Sequence, residues 1–193
     1  LTNYDFNYDF LKGIKKGENY LEGYLYPDTY EVYTDESEVS IVKRMLNNFE
    51  KKTKNLRKSA SEKNMNFKDV IIMASIIERE GKKREELPLV ASVFYNRLKI
   101  DMKLESCATV QYVLPVRRDV LTTEDTKFES VYNTYLYKGL PPGPIANPGL
   151  DAISAAVNPA VSDYYFFVAK KDGSHLFAKT YEQHKKNSKI ALH

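Results

Sequence analysis

The apolar positions of this chain change period along its length, and each change predicts an element. After Ser37, the residues Ile41, Val42, Met45, Leu46 and Phe49 recur at helical spacing and run into a lysine-rich stretch ending at Lys63. This predicts a long amphipathic helix with a solvated charged face. Phe67 to Glu80 (FKDVIIMASIIERE) is apolar almost all round between Val70 and Ile77, the mark of a helix buried in a domain centre, with Gly81 as its C-terminal cap. Pro88 opens a further helix whose Leu89, Val90, Val93, Phe94 and Leu98 form one stripe, with Glu85 and Glu86 near its positive end. This helix is expected to pack beside the buried one.

Elsewhere the period is two, or is broken. Leu21 to Val32 (LEGYLYPDTYEV) alternates around Pro27 and Asp28 and predicts two short strands, or a strand and a turn, with Pro27 excluding a central position. Cys107 to Leu114 reads as a short helix and Asp151 to Val157 as an alanine-rich one. Between them, Gly139 to Gly149 (GLPPGPIANPG) holds four of the eight prolines and predicts a rigid, irregular loop of the kind that often carries function. Tyr164 to Ala169 and His175 to Ala178 flank an Asp172-Gly173 turn and predict a hairpin, after which Thr180 to Ile190 closes the chain as a helix. The expected fold is α+β, mostly helical, with a small antiparallel sheet and a buried central helix. Residues 1–20 read as a residual segment from a preceding region and 21–193 as one domain.

Composition narrows the functional classes. A chain of 193 residues with 42% apolar and 28% charged residues of mixed sign can bury a core without disulfides or metals. A net charge of +3 lacks the concentrated basic face of a nucleic-acid binder, so none is expected as a partner. The single Cys107 excludes an internal disulfide and a cysteine zinc cluster, and no thiol-protease or Ser-His-Asp order surrounds it. His175 and His184 lack an accompanying carboxylate cluster, so neither a metal nor another cofactor is expected. Fifteen tyrosines and no tryptophan suit contact with sugars, although core edges use tyrosine equally well.

Two carboxylates end the buried helix. Glu78 and Glu80 are two residues apart and therefore point to nearly opposite faces. Glu78 shares its face with the small Ala74 and Ser75, and Glu80 with Met73, Ile76 and Ile77, which makes Glu78 the more reachable in a groove. Burial and the negative end of the helix would both raise a carboxylate pKa there, as a general acid requires. Pairing with Arg79, Lys82, Lys83 or Arg84 would explain both acids equally well, and spacing alone leaves this open. Glu22 and Asp28 lie around a predicted turn, where structural hydrogen bonding is the simpler role.

The blocks LEGYLYPDTYEV, ASIIEREG, VASVFYNRLKIDMKLESCATVQYVL, YNTYLYKGLPPGPIANPG and GSHLFAKTYEQH cover nearly all of Leu21 to His184. In content and order they resemble the signature blocks of the YceG-like (MltG) family of endolytic murein transglycosylases. The resemblance implies that 21–193 is the catalytic domain. It implies cleavage of the β-1,4 bond between N-acetylmuramic acid and N-acetylglucosamine inside peptidoglycan glycan strands, leaving 1,6-anhydro ends and limiting nascent strand length. It also implies Glu78, the first acid of ASIIEREG, as acid/base. Asn96, Thr109, Asn133, Tyr135 and Asn147 become candidate substrate-binding residues, with Arg97, Ser106 and Cys107 in support. Many relatives carry Ser-Asp-x-Thr where this chain has Ser106-Cys107-Ala108-Thr109, so Cys107 bears on activity. Cell-wall synthases (penicillin-binding proteins) are the implied neighbours, and an extracytoplasmic site with a membrane anchor elsewhere in a longer protein is the implied location. The competing expectations are a catalytically silent glycan-binding or synthase-scaffold domain, and a lysozyme-like hydrolase.

Overall fold

A computed structural model describes the whole chain except Arg117, Asp119, His193 and the side chain of Leu192. Helix α1 (Glu38–Glu62) begins at Ser37, whose side chain accepts the Ser40 N–H, and buries Leu46, Phe49, Thr53 and Ala60. Helix α2 (Phe67–Glu80) is capped by the Asn66 side chain on the Lys68 N–H, and every residue from Val70 to Ile77 is buried. Gly81 ends it as expected, its N–H on the Ile77 carbonyl at 2.9 Å, but in an extended rather than left-handed conformation. The reason for glycine is space: a Cβ there would lie 2.2 Å from Leu87 Cδ2.

Helix α3 (Leu87–Lys99) carries Pro88 in its first turn and follows a 3-10 turn at Arg84–Glu86. Then come α4 (Cys107–Val113), α5 (Leu150–Val157), the antiparallel pair β1 (Phe166–Ala169) and β2 (His175–Ala178), and α6 (Tyr181–Leu192). Phe166 pairs with Ala178 and Ala169 with His175 across the hairpin. The mostly helical α+β expectation is met, and the hub is α2, which packs on α1, α3, α4 and α5. Its closest partner is α5, whose buried Ala152, Ala155 and Ala156 let the two backbones approach. Such all-round burial explains why α2 is apolar on every side until its last turn. Among the described residues no helix is long and apolar enough to cross a membrane.

One expected element does not form. Leu21 to Val32 holds no strand; Leu21, Tyr24 and Tyr26 do go inward, but through turns in which Tyr24 N–H meets the Leu21 carbonyl. The N–H groups of Gly23 and Leu25 both donate to the side-chain oxygen of Asn147, at 2.8 and 3.1 Å. A single amide from the proline-rich loop thus does the work of a neighbouring strand, a long-range solution that alternation cannot reveal. Residues 1–20 do not stand apart in space: Phe6 is buried, and the Phe10 ring lies 5.8 Å from Tyr24 and 4.9 Å from Phe49.

Candidate active site

The last turn of α2 sends its two carboxylates to different places, as the helical period requires. Glu80 is half-buried and lines a cleft of about 440 Å³ walled by α3, the start of α4, the hairpin and the first turn of α6. Its Oε1 accepts the Ser106 hydroxyl at 2.5 Å and the Ala108 N–H at 3.2 Å. Glu78 is exposed and borders a different pocket, with Tyr26, Lys82, Leu87 and Asp151. Its Oε2 accepts the Gly149 N–H at 3.0 Å.

The burial expected around Glu78 is therefore not found, although the pocket beside it, about 450 Å³, is as large as the Glu80 cleft. The small residues on its face leave room that the proline-rich loop occupies in part. Ser75 Oγ accepts the Ile145 N–H at 3.0 Å, and Glu78 holds Gly149 at the entrance to α5. This face of α2 anchors a loop beside its own pocket, and the opposite face opens onto the cleft.

The cleft's supports are built from the segment before α4. Glu105 has φ of 50°, a left-handed conformation that a side chain rarely adopts, and this turn delivers Ser106 to Glu80. Thr134 holds the turn on both sides: Glu105 N–H meets its carbonyl at 3.1 Å, and Ser106 N–H meets its hydroxyl at 3.0 Å. Arg97 is 7% exposed and donates to the carbonyls of Tyr165, Lys103 and Leu104 and to the Glu105 carboxylate at 3.1 Å. It is thus a brace between hairpin and turn, engaged with Glu105 rather than with Glu78 or Glu80. Its guanidinium also lies 5.1 Å from the Phe166 ring centre.

Of the five residues expected to bind substrate, only Tyr135 lines this cleft. Its hydroxyl lies 3.1 Å from Cys107 Sγ, and burial, then the thiol beside it, raises the phenol pKa far above its usual range. The other four spend polar atoms on the protein itself. Asn96 ties α3 to the carbonyls of Ser162 and Tyr164, and Asn133, fully buried, takes those of Thr126 and Phe128. Thr109 is buried between Ser106 and Thr134, and Asn147 serves Gly23 and Leu25. For Asn96 and Asn147 the backbone groups that claim the amides come from distant segments, which sequence reading does not reveal.

Ser106 and Cys107 both line the cleft with Arg97. Cys107 is solvent-accessible, yet the protein packed around its sulfur pushes the thiol pKa up. Glu80, Glu105, Tyr181 and His184 are the cleft residues that sequence reading left unassigned. The signal for His184 was present, since it closes the block GSHLFAKTYEQH, but it was weighed only as a metal ligand. The two histidines are separated in role: His175 bonds Glu86 at 2.7 Å, and His184 faces the cleft. Among the described residues no group of three or more His, Cys, Asp or Glu side chains could hold a metal ion.

Comparison with known proteins agrees with this architecture. The model of the YceG-like family matches residues 4–190. The endolytic murein transglycosylase of Bacillus subtilis (strain 168) is 38% identical over 178 residues, spanning 92% of this chain and 49% of that protein. The enzyme of the same name from Streptococcus pneumoniae (strain D39) is 36% identical over 175 residues, 86% of this chain and 31% of that protein. This chain therefore spans about half, or less, of the length of these relatives. The crystal structure of a putative yceG-like protein from Listeria monocytogenes superposes with a TM-score of 0.84 at 39% identity, covering 92% of this chain and 58% of that one. With the family pattern matched from residue 4 to residue 190 and the fold shared with a solved member, this chain belongs to the YceG-like family.

Proposed function

We propose that this chain is the catalytic portion of an endolytic murein transglycosylase, and that Glu80, rather than Glu78, is its acid/base. The observation that carries the assignment is the placement of Glu80. Each carboxylate at the end of the central helix borders a pocket, but Glu80 is the more buried of the two and has its carboxyl group oriented by Ser106 and Ala108. Both contacts fall on Oε1, which leaves Oε2 to exchange a proton with a bound glycan. The names of relatives at 36–38% identity support the substrate class.

In the proposed reaction Glu80 protonates the glycosidic oxygen between N-acetylmuramic acid and N-acetylglucosamine as that bond breaks. The carboxylate then takes the proton from the sugar's own C6 hydroxyl, whose oxygen closes on C1 to give the 1,6-anhydro ring. Atoms balance without water. An intramolecular nucleophile has a high effective concentration, so the water-activating second carboxylate of an inverting hydrolase is not needed. Glu105, the other acid in the cleft, is engaged by Arg97, which fits a bracing role. Cys107, where many relatives have Asp, touches Tyr135 and leaves the Ser106–Glu80 bond standing, so we infer that activity survives this departure. Action on murein would put the site outside the cytoplasmic membrane, beside the synthases that extend the strands.

The test is product analysis on intact glycan strands. Unaltered protein should release fragments ending in anhydro sugar, one water lighter than hydrolysis products, and Glu80→Gln should release none while melting normally. Hydrated ends would favour a lysozyme-like hydrolase, and binding without turnover a silent glycan-binding domain. Loss of activity in Glu78→Gln with retention in Glu80→Gln would reverse the assignment.

A further inference from the structure

Two cleft residues take no part in the proton chemistry just described. Tyr181 and His184 lie three positions apart on α6 and so share a face, one at the rim and one further in. Tyr181 is 57% exposed although its ring borders the cleft. His184 lies flat against Phe166, with ring centres 5.3 Å apart and planes inclined by 22°, and its ring centre is 6.2 Å from that of Tyr181.

The imidazole has an unused polar atom: His184 Nδ1 is buried and meets no hydrogen-bond partner among the described residues. A buried donor or acceptor without a partner is costly, which favours a ligand able to supply one. Burial first, and the nearby Arg97 guanidinium second, lower the imidazole pKa below its usual value. At neutral pH the ring therefore offers one N–H donor and one acceptor, the complement of a hydroxyl or an acetamide rather than of an anion. An exposed phenol ring beside it supplies a flat apolar face with a polar edge.

We propose that Tyr181 and His184 form a sugar subsite of the Glu80 cleft, in which Tyr181 stacks on the apolar face of an N-acetylated hexose and His184 hydrogen-bonds one of its hydroxyl or acetamide groups. The subsite rests on the reading of the cleft as a glycan site. It adds a specificity for the ring and its neutral substituents that the acid/base alone does not provide.

The experiment measures binding of murein glycan strands stripped of stem peptides to the Glu80→Gln chain by calorimetry. Adding His184→Phe, which keeps the stack on Phe166 and removes both nitrogens, should weaken binding by about three- to tenfold, the value of a neutral hydrogen bond. Tyr181→Ala should weaken it comparably. His184→Gln should recover part of the loss at an unchanged melting temperature. In the active chain His184→Phe should raise KM and leave kcat nearly unchanged, a split that a merely structural role would not produce. Affinity unaltered by both His184→Phe and Tyr181→Ala overturns the subsite while leaving the cleft's reading intact. Failure of the Glu80→Gln chain itself to bind glycan overturns that reading, and the subsite with it.

Discussion

The two faces of the final turn of α2 carry the same functional group and use it differently. On one face Glu78 and Ser75 accept backbone N–H groups from the 139–149 loop, and the carboxylate acts as a remote cap for α5. On the other, Glu80 is itself held by a hydroxyl and an N–H and borders empty space. Glu78 supplies order to a loop, whereas Glu80 receives order from one. A carboxylate that must hold a reacting group needs its surroundings pre-arranged, because a misplaced acid loses rate steeply. The strained Glu105 turn, the buried Arg97 brace and the Thr109–Thr134 pair supply that arrangement.

The sharpest way to break this contrast is to remove the proton-transferring group on each side. Glu80→Gln should lower the rate of anhydro-product release by about 10²–10⁴-fold, the range of general acid–base catalysis, with little change in melting temperature. A comparable loss from Glu78→Gln would mean the faces had been assigned the wrong way round. On the anchoring face the largest expected effect is on stability. Gly23 has φ of 89°, and a Cβ there would stand 2.5 Å from Pro144 Cγ and 2.9 Å from Ile71 Cγ2. Gly23→Ala should therefore cost about 1–3 kcal/mol in a denaturant titration, by strain and overpacking together.

Glu78→Ala should cost less, about 1 kcal/mol, as the loss of a helix-capping acceptor typically does. In a domain of this size that lowers the melting temperature by about 2–4 °C, and glycan cleavage should stay within a few-fold of the unaltered chain. The smallest effect is a change of rate at the single thiol. The pKa of Cys107 is raised, so less thiolate exists at any given pH and iodoacetamide should alkylate it more slowly at pH 8 than free cysteine. The rate should climb as pH rises toward and past the thiol's raised pKa. Saturating glycan should slow it further, and Glu78→Ala should not alter that protection. Labelling that is fast at pH 8, or indifferent to glycan, would separate Cys107 from the occupied part of the cleft.

Much of this architecture was legible in the chain because it is written in local periods. Val70 to Ile77, apolar on every side, can only be a helix enclosed by others, and Ser37, which precedes the first apolar stripe, caps α1 within a few residues. The hairpin follows from two β-prone runs across Asp172-Gly173. The separation of Glu78 and Glu80 onto opposing faces is likewise a property of the helix alone.

What the sequence could not decide is how the space beside each carboxylate would be used. Small residues beside Glu78 promised space, and tertiary structure gave part of it to the proline-rich loop and left a pocket with an exposed carboxylate; large residues beside Glu80 promised none, yet the cleft lies past them. The same long-range pairing claimed Asn96 and Asn147 for backbone groups far away in sequence, and replaced a strand at 21–32 by one amide. Local periodicity sets where side chains point, because it follows from backbone geometry within a turn or two. Whether they meet solvent, substrate or another segment depends on contacts between residues a hundred or more positions apart, as between Gly23 and Asn147, and only the packed chain brings those together.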